Sequence, residues 1–166
     1  SSPVQEGVMT LKGLDDLDHH ILHALQRDAR HASSNEIAEE MDVSPSTVRK
    51  RIERLESTGV ITGYHADIDY EQAGYQLQVQ ISCTAPITQR DVMGEHALEL
   101  PGVVSVREIA AGENNLLVRV VAQDNDDLTR IASDLSELGL AISNEQLIRG
   151  EDTSPYRLFG EAAERD

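Results

Sequence analysis

The sequence has no tryptophan, one phenylalanine, one cysteine and only two lysines in 166 residues. A single thiol, Cys83, excludes an internal disulfide and fits a reducing compartment. No apolar run approaches the roughly 18 residues of a membrane span, and no stretch has the order of a secretory signal. The expectation is a cytoplasmic protein with no membrane partner. A glycine-rich phosphate loop is missing, and no nucleophile stands at a recognisable spacing from a histidine and a carboxylate. No catalytic residue is therefore assigned, and the chain reads as a non-enzyme. The apolar fraction is low at 39%, but those residues fall in periodic segments, which indicates a folded chain rather than a disordered one.

Acid is abundant: 30 Asp and Glu against 14 Lys and Arg, for a net charge of −16. Many carboxylates with few lysines resemble the surfaces of proteins from salt-rich cytoplasm. At 1 M salt, screening shortens self-repulsion to roughly 3 Å. The expectation is a halophilic protein. The charge is unevenly spread. Residues 1–64 carry 7 basic and 11 acidic groups, and residues 65–166 carry 7 and 19. Arg49, Lys50, Arg51 and Arg54 fall within six consecutive positions, so positive charge is concentrated on one short element.

Residues 1–13 show no period and read as a flexible arm, with Met9 a candidate natural start. Three helices follow within 14–64. The first spans about Asp16 to Asp28, with Asp15 as N-cap, Asp18 three residues on, and Leu17, Ile21, Leu22, Ala24 and Leu25 as its apolar stripe. The second opens at Ser33, whose partner Glu36 completes a capping-box pattern, and carries Ile37, Ala38 and Met41 inward. Asp42-Val43 is a tight turn. The third has Ser44 as N-cap, Pro45 at its first position, Val48, Ile52 and Leu55 on its back, and Gly59 at its end. Val60–Tyr64 reads as a short strand or wing. Residues 65–74 are a linker.

From Tyr75 the period changes from 3.6 to 2. Tyr75, Leu77, Val79, Ile81 and Cys83 alternate with Gln76, Gln78, Gln80 and Ser82, which predicts a strand with one buried and one wet face. A helix to about Leu100, strands at Val103–Ala110 and Leu116–Ala122, a helix at Asp126–Leu138 and a strand at Ala141–Arg149 complete a β-α-β-β-α-β order over 75–149. That order is the ferredoxin-like, split-βαβ pattern, and the fold class is α+β. Residues 150–166 read as a polar tail in which Tyr156, Leu158 and Phe159 can dock on a neighbour.

The second and third helices with their short turn form a helix-turn-helix. Its second helix needs an apolar back and a polar front that fits a major groove roughly 12 Å wide. The front here is Ser46, Thr47, Arg49, Lys50, Glu53 and Arg54. Ser46, Thr47 and Lys50 are candidates for base edges, Arg49 and Arg54 for phosphates, and Ser44 for the helix start. Arg51 lies nearer the apolar side and is either a further DNA contact or a brace. A basic run on a helix is usually only a solvated face. This run begins directly after the Ser-Pro cap of a trihelical unit in an acidic chain, and that favours DNA.

Leu14-Asp15-Asp16-Leu17-Asp18-His19-His20-Ile21-Leu22, then Asp28-Ala29-Arg30 and Ile37-Ala38, resemble the opening of the leucine-responsive regulator/AsnC (Lrp/AsnC) family. Ser44, Thr47-Val48, Arg51-Ile52, Arg54-Leu55-Glu56 and Gly59-Val60-Ile61-Thr62-Gly63-Tyr64 continue the match, and Leu100-Pro101-Gly102-Val103 and Gly112 extend it to about residue 150. The resemblance implies a winged helix-turn-helix joined to a ferredoxin-like sensing domain that dimerises through its sheet. Dimers of the family often assemble into tetramers or octamers. It further implies promoter DNA as a partner and an amino acid or related small molecule as effector between sensing domains; no other cofactor is implied.

One departure stands out. The family's sensing turn usually reads Gly-x-x-Asp, whereas Gly112-Glu113-Asn114-Asn115 places an amide at the acid's position. An amide can accept an ammonium hydrogen bond but lacks the charge that strengthens it. By position the effector candidates are Gly112, Glu113, Asn114 and Asn115, with Gln146 and Ile148 on the fourth strand. The same turn also reads as a plain β-hairpin, since Gly and Asn are ordinary turn residues.

His19 and His23 have i, i+4 spacing on the first helix, but no third ligand supports a metal, so no metal site is assigned and exposed, solvated histidines are expected. Cys83 reads as a small core residue. Two further readings remain open beside a sequence-specific regulator: an architectural protein with little sequence preference, and a metabolite-sensing module that no longer binds DNA.

Overall fold

The computed structural model describes residues 13–164, with side chains to residue 161; the proposed arm therefore lies, but for its last residue, outside the described residues. The chain divides into two units. One comprises the residues up to Ala66 together with those from Asp152 on, and the other spans Asp67–Glu151.

In the first unit, α1 (Asp16–Asp28), α2 (Ser34–Met41) and α3 (Pro45–Ser57) start where their caps place them. Asp15 and Asp18 cap one another: the Asp18 N–H donates to the Asp15 carboxylate at 2.9 Å and the Asp15 N–H to the Asp18 carboxylate at 3.2 Å. Ser33 Oγ accepts the Glu36 N–H at 3.0 Å. The α2–α3 turn works because Asp42 takes a left-handed conformation (φ 54°), which Asp tolerates better than most residues. Ile21, Ile37, Val48 and Leu55 close the core between the helices, and each such burial contributes about 1.5–3 kcal/mol.

One expectation is narrowed and one corrected here. Val60–Tyr64 runs without strand pairing among the described residues; the Ile61 N–H donates back to the Leu55 carbonyl, and Ile61 packs on the core, so the segment is spent closing α3. The polar tail is in part a helix, α6 (Arg157–Glu164), which packs against α1. Phe159 joins the same core and stacks on His19 at 5.2 Å, Tyr156 meets Phe159 edge-on, and the Tyr156 N–H donates to Gln26. His23 lies against Gly160, where an added Cβ would approach the ring to 3.0 Å. The histidines of α1 are thus half-buried rather than solvated.

The second unit is a four-stranded antiparallel sheet in the order β2-β3-β1-β4, formed by β1 (Leu77–Thr84), β2 (Val103–Glu108), β3 (Leu116–Ala122) and β4 (Ala141–Leu147). A short 3-10 turn (Ile87–Gln89) leads into α4 (Arg90–Leu98), and α5 (Asn125–Glu137) follows β3. This is the expected βαββαβ arrangement, with the outer strands shorter than predicted. Val79, Ile81 and Cys83 of β1 and Val118 and Val120 of β3 meet Met93 and Ala97 of α4 and Ile131 and Leu135 of α5, so one sheet face is covered by helices. Gly102 is required: its φ is 98°, and a Cβ there would stand 2.4 Å from the Ile131 side chain. The other face carries Gln78, Gln80, Ser105, Arg107, Leu117 and Arg119 and has no helix of its own unit upon it.

Candidate nucleic-acid interface and effector site

The α3 front is built by its cap and by its buried back. Ser44 Oγ accepts the Thr47 N–H at 3.2 Å and shares hydrogen bonds with the Thr47 (2.8 Å) and Ser46 (3.1 Å) hydroxyls. Those three hydroxyls therefore cluster at the helix N-terminus, where free N–H groups and the helix dipole favour an anion. At roughly 100° per residue, Ser46, Arg49, Lys50, Glu53 and Arg54 share one arc, opposite Val48 and Leu55. All five are exposed, Thr47 is half-buried at the arc's edge, and Val48 and Leu55 are buried. Among the described residues, Arg49, Lys50 and Arg54 make no ion pair within the unit, so their charge faces outward.

Arg51 lies at the border of that arc and takes the bracing role. Its Nη1 contacts both Asp15 carboxylate oxygens at 2.7 Å and the Asp18 carboxylate at 3.1 Å. Asp18 is buried, at 1% exposure. One guanidinium thus ties α3 to the start of α1. Partial burial raises the Asp15 carboxyl, but the hydrogen bonds from Arg51 and from the Asp18 backbone outweigh it and leave it below its ordinary value. The same contact with Asp15 pushes the Arg51 guanidinium further up. Burial raises the Tyr64 hydroxyl, with Glu56 adding to the effect, which places that ring beside the end of α3.

The effector candidates do not form one site. Asn115 is buried, and its amide closes on Ala85: the Ala85 N–H donates to Oδ1 at 2.8 Å and Nδ2 donates to the Ala85 carbonyl at 2.7 Å. Both ends of the amide are used, so Asn115 extends the pairing of β1 as a buried structural amide. Asn114 Oδ1 accepts hydrogen bonds from Ser143 (2.6 Å) and Thr84 (3.3 Å). Gly112 adopts a φ of 140° and Glu113 is exposed, as a hairpin turn requires. Gln146 accepts from Gln80 across the β1–β4 pair at 3.3 Å. Ile148 lies apart from the turn, lining a cavity of about 380 Å³ on the open sheet face with Gln80, Arg107, Leu117, Arg119 and Glu151.

Arg107, Arg119 and Glu151, which the sequence reading did not single out, are brought together on this face. Arg119 holds Glu151 at 2.9 Å. The available signal was the i, i+2 spacing of Ser105/Arg107 and of Leu117/Arg119, which puts both arginines on the wet face. Cys83, as expected, is a core residue, and burial pushes its thiol up to about 11. Among the described residues no group of three or more His, Cys, Asp or Glu side chains could hold a metal, and no helix is long and apolar enough to cross a membrane.

Residues 14–62 match the winged helix-turn-helix DNA-binding family. The chain is 37% identical over 122 residues to the HTH-type transcriptional regulator AldR of Mycolicibacterium smegmatis, covering 72% of this chain and 70% of AldR. The leucine response regulatory protein LrpA of Mycobacterium tuberculosis superposes with a TM-score of 0.71 at 26% identity, over 86% of this chain and 97% of that one. The fold is shared with the transcriptional regulator NMB0573 of Neisseria meningitidis, solved as a complex with L-methionine (TM-score 0.69, 24% identity, 86% of this chain and 94% of that one). With these relatives, the capped helix-turn-helix and the β2-β3-β1-β4 sheet, the chain belongs to the Lrp/AsnC family of helix-turn-helix transcription regulators.

Proposed function

We propose that this regulator reads promoter DNA with the exposed front of α3 and that a small molecule held by its second unit modulates that binding. The observation that carries the DNA reading is the outward-facing trio Arg49, Lys50 and Arg54 on one helix of a chain whose net charge is −16. Ser46, Thr47 and Lys50, nearest the N-terminus of α3, face base edges, while Arg49 and Arg54 hold phosphates; Ser44 orders the helix start. The protein acts in the cytoplasm as a homodimer formed through the open sheet faces, or as a tetramer or octamer of such dimers, and two copies of α3 then meet a pseudo-palindromic site. The effector is an amino acid or a close relative of one. The acidic, lysine-poor surface suits a salt-rich cell, in which base contacts and multivalency matter more than bulk charge.

Footprinting on the protein's own promoter in molar salt tests this reading. A protected pseudo-palindrome is expected. Replacing Thr47 and Lys50 by Ala flattens the preference for that sequence over random DNA by at least tenfold. Unchanged preference would instead make the protein an architectural binder, and no protection at any salt would leave a sensing module without DNA.

A further inference from the structure

We infer that Glu53 of α3 reads a C·G base pair, its carboxylate accepting from the N4 amine of the cytosine while Lys50 beside it donates to O6 and N7 of the paired guanine. This rests on the proposal that the α3 front meets DNA, and it names one base pair read in each half-site.

A carboxylate is out of place on a surface that faces a polyanion. Glu53 nevertheless holds the middle of the front. At roughly 100° per residue it lies about 20° from Ser46, about 40° from Arg49 and about 60° from Lys50, with the two cations on either side of it. The buried Val48 and Leu55 lie about 140–160° away around the helix. Glu53 is exposed. A groove roughly 12 Å wide receives the whole front of a helix, so a side chain on its mid-line is carried in with it.

Glu53 is also unengaged. Arg49 and Lys50 stand one turn before it and Arg54 next to it, yet it makes no ion pair among the described residues. The arginine of α3 that does hold carboxylates, Arg51, takes Asp15 and Asp18 at the border of the front.

The chemistry of the groove selects the base pair. An ionised carboxylate only accepts hydrogen bonds, so phosphates and base carbonyls repel it. The donors on base edges in the major groove are the amines of cytosine and adenine. Adenine sets its N7 acceptor beside the amine; an amide side chain matches both, and a carboxylate matches one and opposes the other. Cytosine offers its amine without that acceptor, and its guanine partner offers O6 and N7, which need a donor. Lys50 supplies it. Three residues before Glu53, it is a neighbour on the helix surface, with roughly 5–6 Å between the two Cβ atoms. A donor and an acceptor side by side on α3 thus meet an acceptor and a donor side by side on one base pair. Where no amine faces it, Glu53 is desolvated against other acceptors, so the penalty falls on the wrong sequences.

Competition binding of the full chain in molar salt tests this, on duplexes in which each base pair of the protected half-site is changed in turn. The parent should show a C·G position at which any replacement weakens binding about tenfold or more. E53A should lose the preference at that position and keep it at the others. E53Q should move it to A·T, because the Gln amide matches both N6 and N7 of adenine. The melting temperatures of both variants should equal that of the parent, since Glu53 is exposed and unpaired.

If both variants change affinity by one factor on every duplex, Glu53 is only a charge beside DNA, and this inference fails while the DNA reading stands. It fails in the same way if the parent shows no such C·G position or if both variants keep the parent's sequence profile. If no duplex binds the parent, the DNA reading itself fails.

Discussion

Arg51 shows how one side chain can order a helix-turn-helix from within its own unit. Its guanidinium neutralises two carboxylates, one of them buried, and fixes the front of α3 relative to α1. Arg51→Ala strands the Asp18 carboxylate; a fully buried broken pair costs about 3–5 kcal/mol. Arg51 and Asp15 are partly exposed, at 28% and 52%, so solvent screening reduces the expected loss to about 1–3 kcal/mol. Urea denaturation of the variant checks this, and Arg51→Lys should recover only part of it because the shorter lysine brings a more strongly hydrated ammonium to the place of Nη1. The pH dependence follows from Asp15, whose folded carboxyl lies below its ordinary value. Its contribution is fully present above the unfolded carboxylate value, about pH 4, and is lost as pH falls through the lowered folded value. Acid titration of the parent should show this loss, and the Arg51→Ala variant should show less of it.

Cys83 gives a separate residue-scale test. Buried, with its thiol raised to about 11, it should resist a thiol reagent in the native protein at pH 7 and react at once in denaturant, because the thiolate is the reactive form.

At the scale of elements, the helix starts were legible because capping is a local code: Asp15, Ser33 and Ser44 each act on a backbone N–H three residues ahead. The sheet was legible from alternation, since Val79, Ile81 and Cys83 can share only one face. What escaped the reading depends on non-local partners. Asn115 has the composition of a turn residue, and only its position beside Ala85 makes it a buried structural amide. α6 is short, and its apolar side means little until His19 and the α1 core are seen beneath Phe159. Phe159→Ala should therefore destabilise the first unit by about 1–2 kcal/mol, less than the roughly 3–5 kcal/mol of a fully buried Phe because this ring is half-exposed. Thermal melting and the affinity for DNA should fall together, since α1 supports α3.

For the whole molecule, charge sets the behaviour. With a net −16, the body repels DNA at low ionic strength, and the proposed reading has Arg49, Lys50 and Arg54 attract it. Affinity on B-DNA falls with salt at a log–log slope of about −0.9 per phosphate neutralised. If two phosphates are held per copy, a dimer gives a slope of about −3.6, flattened by the relief of body–DNA repulsion as salt rises. Anisotropy titrations from 0.2 to 2 M salt should show, as roughly estimated from that slope, a shallower dependence than Arg and Lys counts alone imply. Raising the basic content of the body should steepen it.

The reading unit is assembled from two stretches of chain that flank the entire Asp67–Glu151 unit. During synthesis, therefore, α1 to α3 leave the ribosome long before α6 exists to cover His19 and His23. A chain that stalls or is cleaved within the sheet carries a helix-turn-helix with its first helix uncovered, which favours opening and proteolysis. The first unit therefore gains its full cover over α1 only once the second unit has been made and α6 follows it.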